Sequence, residues 1–263
     1  MKQYIIDAFT DKPFCGNPAA VCVMDEWPEE SLMMKIAMEN NLSETAFIVK
    51  EENGYRLRWF TPTCEVGLCG HATLASGYTL LNYYEPEAGS ITFNTLGGRL
   101  TVSRKDEGYE MLFPNIPIER VKVTSEMIEC LGTIPLDAWM GKDFDLICVL
   151  QDEMQVRDFT PDAESLKKLP GRMVHITAPG SNGYDCCSRC FGPQIGILED
   201  PVCGSAHCQI IPYWAKRLDK DVIHAWEASS RGGELFGHII SDSCIKIIGK
   251  ACTFAISELS IQG

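Results

Sequence analysis

Basic residues are scarce. The chain carries 23 Lys and Arg against 36 Asp and Glu, a formal charge of −13. No basic run breaks that acidic background, and a phosphate backbone needs a basic footprint, so nucleic acid is set aside as a partner. An anionic ligand would have to be held by local donors against the overall field. Long apolar runs are missing too. No stretch approaches the roughly 18 residues of a membrane helix, which sets a membrane aside. The opening residues, Met1 to Asp7, run directly into a strand-like segment without a secretory apolar core or cleavage site. The expected location is the cytoplasm.

Paired metal-ligand motifs are also wanting. The 13 cysteines are odd in number and cannot all pair within one chain, and without a secretion signal reduced thiols are expected. Many, such as Cys22 and Cys148, sit in apolar runs as small buried hydrophobes. Cys187 and Cys190 make one CxxC, but no second pair completes the four ligands of a structural zinc. No metal is expected.

What the chain has is apolar content of 45% over 263 residues, ample for two modest domains, and a pattern written twice. Cys69-Gly70-His71-Ala72-Thr73 opens a segment, Leu74 to Tyr83, with helical apolar spacing. Cys203-Gly204-Ser205-Ala206-His207 opens another, Ile210 to Leu218. Each is followed by a strand-like run and a Gly pair, and Cys69 to Cys203 and Gly98 to Gly233 lie at offsets of 134 and 135 residues. That shared offset argues for duplication rather than common turn chemistry. Strand candidates are Tyr4–Phe9, Ala19–Val23, Ala46–Val49 and Tyr55–Phe60, the last with Leu57 and Trp59 alternating with Arg56 and Arg58. A helix is expected from about Ser31 to Asn40. Pro114 to Ile118 reads as the connection, giving halves 1–117 and 118–263. The fold class is α+β, each half a curved sheet around a central helix, with the active site in the cleft between them.

The two glycine-rich helix starts carry the chemistry. A helix N-terminus leaves backbone N–H groups unpaired and holds about half a positive charge. Gly70 and Gly204 let a ligand approach those groups, with Ala72 and Ala206 two residues further in. A small carboxylate is the ligand such a cradle suits. His71 and Ser205 occupy equivalent places beside it. Pro201 pushes Asp200 toward an extended conformation at the mouth of the second start, where it would cap the helix, orient a ligand, or both. Glu44 immediately precedes an apolar strand, and lost solvation there would raise its pKa toward a value useful for proton transfer. As residues alone, a surface loop glutamate is the blander reading of Glu44. His207, Arg189 and Arg231 read equally as ligand contacts or structural hydrogen bonders.

Several motifs carry a resemblance. Asp7-Ala8-Phe9-Thr10 with Gly16-Asn17-Pro18-Ala19, Asn41-Leu42-Ser43-Glu44-Thr45-Ala46-Phe47 and Arg58-Trp59-Phe60-Thr61-Pro62 are among them. Cys69-Gly70-His71-Ala72-Thr73, Glu199-Asp200-Pro201-Val202-Cys203-Gly204-Ser205-Ala206-His207 and Ser230-Arg231-Gly232-Gly233 complete the set. Together they resemble the phenazine-biosynthesis PhzF-like family. The resemblance spans nearly the whole chain, though residues 119–170 carry no placeable motif. It implies the diaminopimelate-epimerase-like fold, isomerase activity, Glu44 as a proton-shuttling base, and His71, Asp200 and Ser205 around it. In the characterised phenazine enzyme such a constellation isomerises dihydro-hydroxyanthranilate with no metal or organic cofactor. A homodimer is implied as well. The substrate is not implied.

One departure opens an alternative. Family members commonly place Thr before the second Gly-Ser-Ala, whereas this chain has Cys203. Related epimerases and racemases of the fold place cysteines before both starts, as Cys69 and Cys203 stand here. Thiols at helix N-termini can serve as acid and base, so a two-cysteine amino-acid racemase or epimerase is the second reading. A non-catalytic binding module is the third.

Overall fold

The computed structural model describes residues 1–106, 108–142 and 144–261. The first unit runs β1 (Lys2–Ala8), β2 (Asn17–Met24), α1 (Glu30–Asn40), β3 (Glu44–Glu51), β4 (Gly54–Phe60), β5 (Glu65–Val66), α2 (Gly70–Tyr83), β6 (Ser90–Thr95), β7 (Gly98–Lys105) and β8 (Gly108–Pro114). The second begins with β9 (Ile118–Val121), α3 (Ser125–Leu131), β10 (Asp137–Gly141), β11 (Leu146–Val149), α4 (Glu153–Arg157) and α5 (Ala163–Leu166). It continues with β12 (Val174–Pro179), β13 (Cys186–Gly192), β14 (Ile197–Asp200), α6 (Gly204–Leu218), β15 (Val222–Glu227), β16 (Gly233–Ser241) and β17 (Cys244–Gly249). A last strand, β18 (Ala251–Glu258), pairs antiparallel with β1. The units are Met1–Leu112 with Ile248–Gly263, and Phe113–Ile247. They change over at 112/113 rather than 117/118, and the final strand belongs with the first unit through its ladder to β1.

The duplication extends well beyond the two helix starts. In the first unit β1–β2 is antiparallel, β2–β3 parallel, β3–β4 antiparallel, β4–β6 parallel and β6–β7 antiparallel. In the second unit β10–β11, β11–β12, β12–β13, β13–β15 and β15–β16 repeat those senses step for step. Even the outer strands correspond, β18 on β1 as β9 on β10. The fold is α+β, each unit a mixed sheet around its own helix.

Why these segments become these elements is visible in their burial. In β4, Leu57 and Trp59 are buried while Arg56 and Arg58 are half-buried, the period-two pattern of a strand with one apolar face. In α2, His71 through Gly77 are all buried, because the helix packs on β1, β2, β3, β6 and β7. The helix α1 presents Met33, Ile36 and Ala37 at helical spacing to Cys22, Phe47 and Phe60. Full burial of each such large side chain contributes roughly 1.5–3 kcal/mol. The helix α6 contains Pro212, which has no N–H for the Cys208 carbonyl. Ile116 N–H donates to that carbonyl instead, at 3.2 Å. The segment 119–170, without motifs, supplies Leu146, Cys148 and Val156 to an apolar cluster completed by Val174 and Phe191. Among the described residues no helix is long and apolar enough to cross a membrane.

Candidate active site

The repeat reaches individual side chains. In the β3–β4 ladder Thr45 faces Phe60, and in β12–β13 Val174 faces Phe191, so Arg58 corresponds to Arg189. Arg58 donates to both oxygens of Glu65 at 2.7 Å, and Arg189 to both oxygens of Glu199 at 2.7 and 3.0 Å. Each guanidinium also covers the ring two residues on, Phe60 or Phe191. Arg189 further donates to the carbonyls of Val156, Arg157 and Phe159. These two arginines are structural clamps.

Where the copies differ, the chemistry lies. By the same registers Glu44 stands where the second unit has Met173, and Asp200 where the first has Val66. Histidine 71 stands where the second unit has Ser205. Cys69 and Cys203 are both extended residues immediately before their helices, and neither side chain caps its helix. Asp200 ends strand β14, three residues before Cys203, which directly precedes α6.

In the first unit Glu44 opens β3 and His71 lies in the first turn of α2. His71 Nε2 is 3.2 Å from Glu44 Oε2, with the two side chains 6% and 13% exposed. Asn17 Nδ2 donates to His71 Nδ1 at 3.1 Å, and the Cys69 thiol lies 3.6 Å from that same nitrogen. An accepting Nδ1 leaves the ring proton on Nε2, the nitrogen nearer Glu44, in a contact set by distance rather than by hydrogen-bond alignment. Burial pushes the His71 imidazole down to about 3 from 6.5, so it is neutral. The donor atoms of Glu44, Cys69 and His71 lie within 4.8 Å of one another, a set able to hold a transition metal.

In the second unit Cys203 Sγ lies 3.4 Å from Ser205 Oγ, and Cys203 N–H donates to Glu227 Oε2 at 2.8 Å. His207 is wholly buried, its Nδ1 2.8 Å from the Cys203 carbonyl and its Nε2 3.1 Å from Ser188 Oγ. That engagement makes it a structural group. A hydrogen bond from Cys190 lowers the Cys203 thiol pKa, but burial and the nearby Asp200 charge outweigh it, and the net direction is up. No disulfide joins any of the 13 cysteines. Cys187 and Cys190 lie on opposite faces of β13, Cys187 in the apolar cluster, so the CxxC does not converge. Sequence reasoning gave no role to Asn17, Cys190 or Glu227. For Glu227 a signal existed: period two along β15 sets it on the inward side with Ile223 and Ala225.

Comparison with known proteins resolves the family. The PhzC-PhzF profile, described as phenazine biosynthesis-like protein, matches residues 6–256. The chain belongs to the PhzF-like family. An uncharacterized isomerase of Pseudomonas aeruginosa in this family's range of similarity is 43% identical over 257 residues, covering 98% of this chain and 97% of that protein. A crystal structure of a PhzF-family protein from Enterococcus faecalis matches with TM-score 0.95 at 46% identity, over 99% of both chains. A hydroxyproline epimerase from Agrobacterium vitis, solved with trans-4-OH-L-proline, aligns with TM-score 0.62 at 10% identity over 98% of this chain and 90% of that one. This last likeness shows the shared fold alone. The PhzF-like protein thus has relatives named as isomerases and the diaminopimelate-epimerase-like fold.

Proposed function

We propose that this protein is a cofactor-independent isomerase in which Glu44 moves a proton on a small carboxylate-bearing substrate. Glu44 takes a proton from a carbon beside a carbonyl or alkene and returns it to another carbon on the same face. The observation that carries this reading is the neutral His71, its Nε2 3.2 Å from Glu44 Oε2. A neutral imidazole with its proton on that side can steady the carboxylate and the charge that develops on the substrate without itself becoming a competing acid. Asp200 and Ser205 are assigned to orienting the substrate, and the N–H groups at Gly70, Ala72, Gly204 and Ala206 to binding its carboxylate.

The two-cysteine alternative is weakened by one finding. A base at Cys203 must exist as thiolate, and burial together with the nearby Asp200 charge opposes that ionisation. The test is incubation of the protein with metabolite pools in deuterated water, followed by mass analysis. Glu44→Gln should abolish deuterium entry, and Cys203→Ser should retain most of it. Undiminished labelling by the glutamine variant would remove the proposal, and loss of labelling on thiol replacement would restore the cysteine mechanism.

A further inference from the structure

We propose that Glu227 is a positioning residue, whose carboxyl group anchors the first turn of α6 so that Gly204 and Ser205 present their polar groups to the substrate's carboxylate. The inference rests on the reading above and deepens it. Glu227 has no exposed surface, and its Oε2 accepts the Cys203 N–H at 2.8 Å. This bond falls on the residue immediately before the helix, whose own side chain does not cap the first turn. The ladder registers put Thr95 at the equivalent place in the first unit. The carboxyl is thus a feature of the Ser205 copy alone, introduced at the helix start where Asp200 replaces the first unit's Val66.

The groups facing Glu227 are Cys190 from β13, Glu199 and Asp200 from β14, Cys203 just before α6, and His207 from α6. None is a cation at neutral pH, since burial holds His207 down to about 4. Burial first, then the Asp200 charge, raise the Glu227 pKa well above the ordinary carboxyl value. The group therefore keeps its proton while the helix start is binding-competent. The neutral carboxyl spends no negative charge beneath the anion-binding end of α6. As pH rises and the proton leaves, a buried negative charge appears there and opposes an incoming carboxylate. The consequence is an alkaline rise in KM that reports on Glu227.

Two measurements decide the matter. With the compound that gains deuterium, KM is followed against pH for the wild-type protein, Glu227→Gln and Glu227→Ala. The amide variant stays neutral and keeps an acceptor for the Cys203 N–H, so its KM should remain within about threefold of wild type and lose the alkaline rise. The alanine variant should raise KM by about tenfold or more across the range. In parallel, infrared spectra of the wild-type protein should show a protonated buried carboxyl at neutral pH that vanishes over the same pH interval as KM rises. An alkaline rise persisting in Glu227→Gln, or a carboxyl band whose loss does not coincide with it, would overturn the inference. The infrared arm needs no variant and stands if the substitutions unfold the protein. Failure of the proton-shuttle reading is seen separately, as turnover retained by Glu44→Gln.

Discussion

Acidification should destabilise this protein through His71, and the size of the effect tests whether the His71–Glu44 pair is neutral or ionic. The imidazole titrates near 6.5 when solvated and near 3 in the fold, lowered by burial. Between those values the unfolded chain binds a proton that the folded chain refuses, so stability falls as pH drops through 6.5 and recovers above it. From about pH 7.5 to about pH 4.5 the loss is about 2.7 kcal/mol, and it approaches about 5 kcal/mol near pH 3. The competing possibility is an ion pair across the 3.2 Å contact with Glu44, which would raise the histidine pKa and make stability fall as pH rises instead. Urea midpoints for the wild-type protein and His71→Gln, taken across that range, separate the two. The variant should lose a slope approaching about 1.4 kcal/mol per pH unit below pH 6, while keeping the smaller acid loss due to His207. A wild-type slope equal to that of the variant, or of opposite sign, would refute the neutral pair and with it the basis for assigning His71 its role.

Two further outcomes follow from packing. Arg189→Ala should cost about 3–5 kcal/mol in urea denaturation, because it leaves Glu199 and three carbonyls without their donor. Arg58→Ala, in the more exposed copy of the same clamp, should cost about 1 kcal/mol, and equal losses would contradict that account. Gly232→Ala should destabilise by roughly 1–3 kcal/mol, since the backbone has φ +67° and a Cβ would come within 2.6 Å of the Trp226 ring. A neutral result by thermal melting would show that the Trp226 ring yields.

The fold was legible because its determinants are local and repeated. Apolar alternation in Tyr55–Phe60 marked a strand, the Gly70 and Gly204 starts marked helices, and a shared offset marked duplication. What escaped was the extent of the repeat. Arg58 and Arg189 correspond through ladder registers, and no single-chain spacing reveals which residue faces which across a sheet. In the site, Glu44 and His71 lie 27 positions apart on a strand and a helix, so their approach depends on how α2 packs on β3. Glu227 was harder still. An acid in a strand of alternating pattern reads as exposed by composition, and only its parity with Ile223 and Ala225 sets it inward.

Sequence by itself determined the architecture, the family motifs and the chemical types available, since periodicity and turn chemistry are properties of neighbouring residues. Tertiary structure alone decided their states. Burial, which no residue carries in its own identity, makes His71 neutral, makes the Cys203 thiol hard to ionise and keeps the proton on Glu227.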